Sequence, residues 1–163
     1  MVEVHLAAVR VDVTSKAPLV LLQEHTGDRT LPIFIGAPEA RAIALALDGV
    51  VTERPLTHDL VRDLLEGLGA KLTRVVVTEL RDTTYFAEMH LEAGGRQVVV
   101  SSRPSDAIAV AVRTGTPLFV ADDLLDSQGV VLQPDDDEAG DVPDELVDQF
   151  REFIQGVRPE DFG

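Results

Sequence analysis

The chain has no cysteine and no tryptophan, and aromatic residues make up only 4% of its 163 positions. Without thiols, disulfides and thiolate metal sites are excluded. No stretch approaches the ~20 consecutive apolar residues that span a bilayer. The opening MVEVHLAAVRVDV lacks a basic segment followed by an apolar block, so no signal peptide is expected and a cytoplasmic location is. Basic runs are missing too, and with so few aromatics a large nucleic-acid surface is not indicated. The glycine-rich phosphate loop, the dinucleotide-binding glycine pattern, the His-Glu-x-x-His zinc motif and the Gly-x-Ser-x-Gly elbow are all absent.

What remains is an apolar content of 45%, enough for an ordinary core, and a very uneven charge. Residues 122–163 carry 14 acidic side chains against two arginines, a net −12, whereas residues 1–121 carry 15 against 12, a net −3. The body is nearly neutral and the tail strongly acidic. Such a tail repels polyanions over about a Debye length, ~8 Å.

Three short apolar runs open the chain: Val2–Val13, Leu19–Gln23 and Leu31–Ile35. Turn-rich pieces divide them, and their β-branched content predicts strands in a meander. A change of alternating phase near Ala7 and Ala8 predicts a bulge. Pro38–Leu47 and Thr57–Leu68 have helical spacing, and Gly49 and Gly69 stand where helices end. The same order then recurs, with predicted strands at Lys71–Leu80, Thr84–Glu92 and Arg96–Ser101 and a helix from Pro104 to Arg113. AIALALDG at 42–49 matches AIAVAVRTG at 107–115, and DLLEGLG at 63–69 matches DLLDSQG at 123–129. The expected fold is therefore α+β, built from duplicated β3α2 units at about 1–69 and 70–129. An acidic loop at 133–141 and an amphipathic helix at 142–156, with Phe150 on its apolar face, are expected to follow.

Two stretches hold the chemical candidates. In ERPLTHDL (53–60), Thr57 suits a helix N-cap and Asp59 suits the first turn, where a carboxylate meets the positive end of the helix dipole. Helix initiation accounts for those two residues but not for Arg54 or His58. In SSRPSDAIAVAV (101–112), Arg103, Ser105 and Asp106 stand at a strand-to-helix junction. The corresponding place in the first unit carries Glu39 and Arg41, so Glu39 and Asp106 are expected to approach one cleft if the units are related by a pseudo-twofold. Two carboxylates with arginines beside them suit a divalent cation and a phosphate, or equally a set of structural ion pairs. His5, His25 and His90 are scattered and read as structural.

These same stretches carry a resemblance. LPIFIGAPEARAIALAL, RPLTHDLVRDLLEGLGA and RPSDAIAVAVRTGTPLFV are similar, in that order and spacing, to the bifunctional nuclease (BFN) domain family, over residues 1–130. The acidic loop and last helix, residues 131–163, resemble the actinobacterial version of the family. The resemblance implies a barrel-like sheet with flanking helices and hydrolysis of RNA and DNA phosphodiester bonds. It marks Glu39, Arg54, Thr57, His58, Asp59, Arg103, Ser105 and Asp106. Many relatives carry an aspartate just before the arginine-proline pair, where this chain has Ser101-Ser102, which removes one candidate metal ligand.

For a phosphodiesterase, the expected catalytic set is His58, Asp59, Arg54, Arg103 and Asp106, with His58 as acid or base. Arg54, Arg103 and Ser105 would bind substrate, and Glu39, Asp59 and Asp106 would hold a divalent ion such as Mg or Mn. Nucleic acid is the expected substrate, the chain is expected to form a homo-oligomer, and no membrane is involved. The competing reading is a non-enzymatic binding or regulatory domain.

Overall fold

The structure is a computed structural model that describes residues 1–132. The acidic loop and the helix expected at 142–156, with Phe150, lie outside the described residues. The first three strands are β1 (Val2–Val11), β2 (Pro18–Glu24) and β3 (Arg29–Phe34), followed by helices α1 (Ala37–Leu47) and α2 (Thr57–Gly67). Then come β4 (Ala70–Arg81), β5 (Thr84–Ala93), β6 (Arg96–Ser102), helix α3 (Pro104–Thr114), β7 (Leu118–Val120), helix α4 (Asp122–Gln128) and β8 (Val130–Val131).

The eight strands form one sheet in the order β6-β5-β4-β7-β1-β2-β3-β8. Every pairing is antiparallel except that of β4 with β7. Each meander is stitched by local turns. Gly94 and Gly95, both at positive φ, make the two-residue turn between β5 and β6, a conformation only glycine adopts without strain. The phase change at Ala7 and Ala8 appears as a register shift between Leu6 and Ala8.

Two expectations are corrected. Among the described residues the sheet ends at β6 and at β8, which do not pair with each other, so it is open where a barrel-like closure was implied. The second half also does not read β3α2. A short strand, β7, separates its two helices, and β8 follows them. The matched dipeptides show why. Pro55-Leu56 leads straight into α2, but Leu118, which follows Pro117, opens a strand wedged between β4 and β1.

One face of the sheet is covered by helices. Val4, Val20, Leu22, Leu31, Ile33, Val75, Val77, Ala87, Met89, Leu118 and Val120 pack there against Ile43 of α1 and against α3. Ala107 through Ala111 are buried on every side, so α3 is the central helix, and it packs against both α1 and α2. Arg113 in its last turn donates to the Ala109 carbonyl at 2.7 Å and to the Ala42 carbonyl of α1 at 2.8 Å. Among the described residues no helix is long and apolar enough to cross a membrane.

Candidate functional site

Three helix starts meet at one place, and each puts an acid at its third position: Glu39 in α1, Asp59 in α2 and Asp106 in α3. A carboxylate there lies against the unpaired N–H groups and the positive end of the dipole. Proline at the first or second position of α1 and of α3 fixes the helical φ and gives up a donor that would have had no partner. Gly36, the N-cap of α1, leaves room for the Glu39 carboxylate to fold back, since a Cβ at Gly36 would sit 2.2 Å from Glu39 Oε2.

Arg103, the N-cap residue of α3, joins two of these helices. Its Nε donates to Asp106 Oδ2 at 2.8 Å, and its Nη2 donates to Asp106 Oδ1 at 3.1 Å and to Glu39 Oε1 at 3.0 Å. His58, in the first turn of α2, brings Nε2 to 2.9 Å from Asp106 Oδ1. Residues 39, 58, 103 and 106 thus form one hydrogen-bonded cluster drawn from three separate segments. Arg103 remains 65% exposed, while the His58 side chain is only 12% exposed. Burial raises the Asp106 carboxyl, but the Arg103 and then the His58 hydrogen bonds outweigh it and hold the group below the ordinary carboxylate value. The same contacts, Asp106 first and Glu39 second, hold the Arg103 guanidinium more firmly protonated.

The other expected site residues lie elsewhere. Asp59 accepts from Arg113 Nε at 2.7 Å and from the Leu56 backbone N–H at 3.0 Å. Burial raises its carboxyl, and Arg113 followed by the Leu56 N–H brings it below its usual value. Arg113 is only 4% exposed, and this pair is a closed tie between α2 and α3. Ser105 is buried in the first turn of α3. Arg54 is exposed in the loop before α2, where its backbone carbonyl accepts from Thr52 and its side chain is not part of the cluster. A depression of about 230 Å³ lies beside that loop, lined by Val50, Thr52, Pro55, Asp59 and Arg62 among others, and none of the four cluster residues lines it.

The cap of α2 is also corrected. Leu56 holds the N-cap position, Thr57 is already helical, and Leu has no side-chain acceptor, so the capping contact is the Asp59 carboxylate on the Leu56 N–H.

Among the described residues no group of three or more His, Asp or Glu side chains is arranged to hold a metal ion. Glu39 and Asp106 are both engaged by Arg103, and Asp59 belongs to Arg113, so the carboxylates expected to share a cation are split between two ion-paired groups. As arranged, this donor set does not fit a divalent ion.

Two partners escaped the reading of the sequence. Arg113 follows a long apolar stretch at the end of a helix, where a basic residue needs no further explanation, and its carboxylate lies 54 residues away. Glu24 is buried and receives the Arg29 backbone N–H and Nε at 3.0 Å and Nη2 at 2.9 Å, while Arg29 also reaches Asp126 of α4. The close spacing of Glu24 and Arg29 across a turn was the available signal.

Comparison with known proteins places the same segments in a family context. The bifunctional nuclease domain profile matches residues 20–133. An uncharacterized protein of Mycobacterium tuberculosis is 42% identical over 164 residues, covering 99% of this chain and 98% of that one. Bifunctional nuclease 2 of Arabidopsis thaliana is 32% identical over 115 residues, covering 69% of this chain and 35% of that protein. Bifunctional nuclease 1 of Oryza sativa subsp. japonica is 28% identical over 120 residues, covering 71% of this chain and 36% of that protein.

Proposed function

Because the chain belongs to the bifunctional nuclease domain family, we propose that it hydrolyses phosphodiester bonds of RNA or DNA at the cluster formed by His58, Arg103, Asp106 and Glu39. The observation that carries this reading is their convergence from three helix starts into one network with an exposed arginine. The exposed Arg103 guanidinium is the group there that can take an anion in exchange for its carboxylates.

In this proposal Asp106 accepts the Nε2–H of His58, which fixes the ring and leaves Nδ1 as the nitrogen that takes a proton from water or returns one to the leaving oxygen. Arg103 turns from its carboxylates to a phosphate oxygen and balances the charge that develops in the transition state. Glu39 holds the guanidinium when no substrate is present. No step is routed through a metal ion, because among the described residues the three carboxylates in question do not gather at one point, Asp59 being tied to Arg113. Arg54, exposed just before α2, is assigned to the more distant substrate backbone. A cytoplasmic setting fits a cysteine-free chain.

A second reading draws on the same network. Arg103, Asp106, Glu39 and His58 satisfy one another, as a structural junction of a binding domain would. One experiment separates the two. The purified chain is incubated with RNA and DNA, single- and double-stranded, with Mg, with Mn and with EDTA, beside His58→Ala and Arg103→Ala. Cleavage that both substitutions abolish supports the nuclease. If the parent protein cleaves nothing under any of these conditions, the binding reading replaces it.

A further inference from the structure

We propose that a second copy of this chain pairs with the outer edge of β6, joining the two sheets about a twofold axis at Val99. Among the described residues strand β6 pairs with β5 alone and forms one end of the sheet, so its outer row of N–H and C=O groups has no strand partner there. It also presents Val98, Val99 and Val100 in succession, all exposed, with Val99 at 53%. Natural sheet edges are usually protected by proline, by a bulge or by charge within the strand. In β6 the sole charged residue is Arg96 at its beginning, and the register with β5 is regular throughout.

The strand complements itself. A twofold axis perpendicular to the sheet pairs residues that share a face. Centred at Val99, it sets Val99 against the partner's Val99, Val98 against the partner's Val100, Gln97 against the partner's Ser101 and Arg96 against the partner's Ser102. Apolar then meets apolar, polar meets polar, and no like charges face each other. Moving the centre to Val98 puts Val99 against glutamine and Val100 against arginine, and moving it to Val100 puts two valines against serines.

The faces agree with this register. Val98 and Val100 stand opposite Leu91 and Met89 of β5, which are core residues, so these two valines continue the core layer past the point where the helices cover it. A second copy sets its own Val100 and Val98 beside them across the new strand pair.

An edge of seven residues supplies only part of the ~1,600 Å² that a stable interface buries, and α2 carries further exposed apolar surface. Its Val61 and Leu65 face the core, while Leu60, Leu64 and Leu68 form a second, exposed apolar stripe at helical spacing. Leu68 leads through Gly69 into Ala70, which pairs with Ala93, which pairs with Arg96 at the start of β6. The C-terminal end of the stripe therefore lies at the end of the strands where β6 starts, two strands in from its free edge.

The test is sedimentation velocity on the full chain across a range of concentrations, with amide hydrogen exchange alongside. The parent is expected at twice 17.6 kDa, with protection of the β6 amides that rises with concentration. Val99→Lys is expected to raise the dimer dissociation constant at least ~30-fold, as at an interface hot spot, with an unchanged far-UV circular dichroism spectrum. Leu64→Glu should weaken the dimer less. Val131→Lys, at the opposite end of the sheet and 62% exposed, should leave it intact. A parent that stays monomeric overturns the proposal. So does a dimer that Val99→Lys leaves unchanged, or one that Val131→Lys dissociates. If Val99→Lys does not fold, exchange on the parent decides, and β6 amides without concentration-dependent protection overturn it as well.

Discussion

The chain uses one motif twice, an arginine on the third-position carboxylate of a helix, and the two copies differ in almost everything that matters for function. Arg113 on Asp59 is buried, donates to two backbone carbonyls besides, and ties α1, α2 and α3 together. Arg103 on Asp106 is mostly exposed, shares its guanidinium with a second carboxylate, and has a histidine on the same acid. A buried pair cannot be taken apart without stranding a charge. An exposed pair can exchange its partner for a ligand at little cost. Solvent exposure thus separates the arginine that holds the fold from the one that can reach a substrate.

The largest expected effect breaks the open copy. His58→Ala should lower phosphodiester cleavage by about 10²–10⁴-fold, the usual contribution of a positioned acid or base, and should cost about 1–2 kcal/mol of stability through the lost contact to Asp106. Arg103→Ala should do the same for cleavage and alter stability by less than ~1 kcal/mol, measured by urea titration. Cleavage that survives either change would count against the site.

The next breaks the closed copy. Arg113→Ala leaves Asp59 without its cation and two carbonyls without their donor, and should destabilise the protein by about 3 kcal/mol in the same titration. A loss no larger than that of Arg103→Ala would erase the distinction between them. Smaller still, Asp59→Asn weakens both the Arg113 tie and the capping contact to the Leu56 N–H, at a cost of about 1–2 kcal/mol.

The smallest effect is the pH dependence. Asp59 and Asp106 are both held below their ordinary value of 3.8. Their contribution to stability is therefore complete above that value and is lost as the pH falls through the lower values of the folded state. Melting temperature should be level down to about pH 5 and should drop below about pH 4, less steeply in Asp59→Asn. An equally steep acid drop in that variant would show that Asp59 contributes nothing to it.

Much of this was legible in the chain. Alternation gave β5, and helical spacing closed by glycine gave α2. The match between the two halves suggested that Glu39 and Asp106 would approach each other if the units were related by a pseudo-twofold; the second half departs from the β3α2 order, yet both acids accept from Arg103. Most of what escaped was nonlocal. Leu118, Phe119 and Val120 are too few to show a period, and they form a strand only because β4 and β1 receive them. The cap of α2 went to Leu56 because the Asp59 carboxylate reaches back to its N–H, which makes the hydroxyl of Thr57 unnecessary there. The role of Arg113 depends on an acid on another helix, and spacing along the chain carries no trace of that.

The three residues of β7 also set an order of events during synthesis. Each meander closes through neighbouring turns, but among the described residues the two are joined within the sheet only through β7, whose Val120 pairs with Val2. Closing a loop of that length costs about 2 kcal/mol more than closing a ten-residue hairpin. While the ribosome has yet to release residue 120, the inner edge of β1 lacks its neighbour, and the first half of the protein must wait, with one side of its sheet unfinished, for the second.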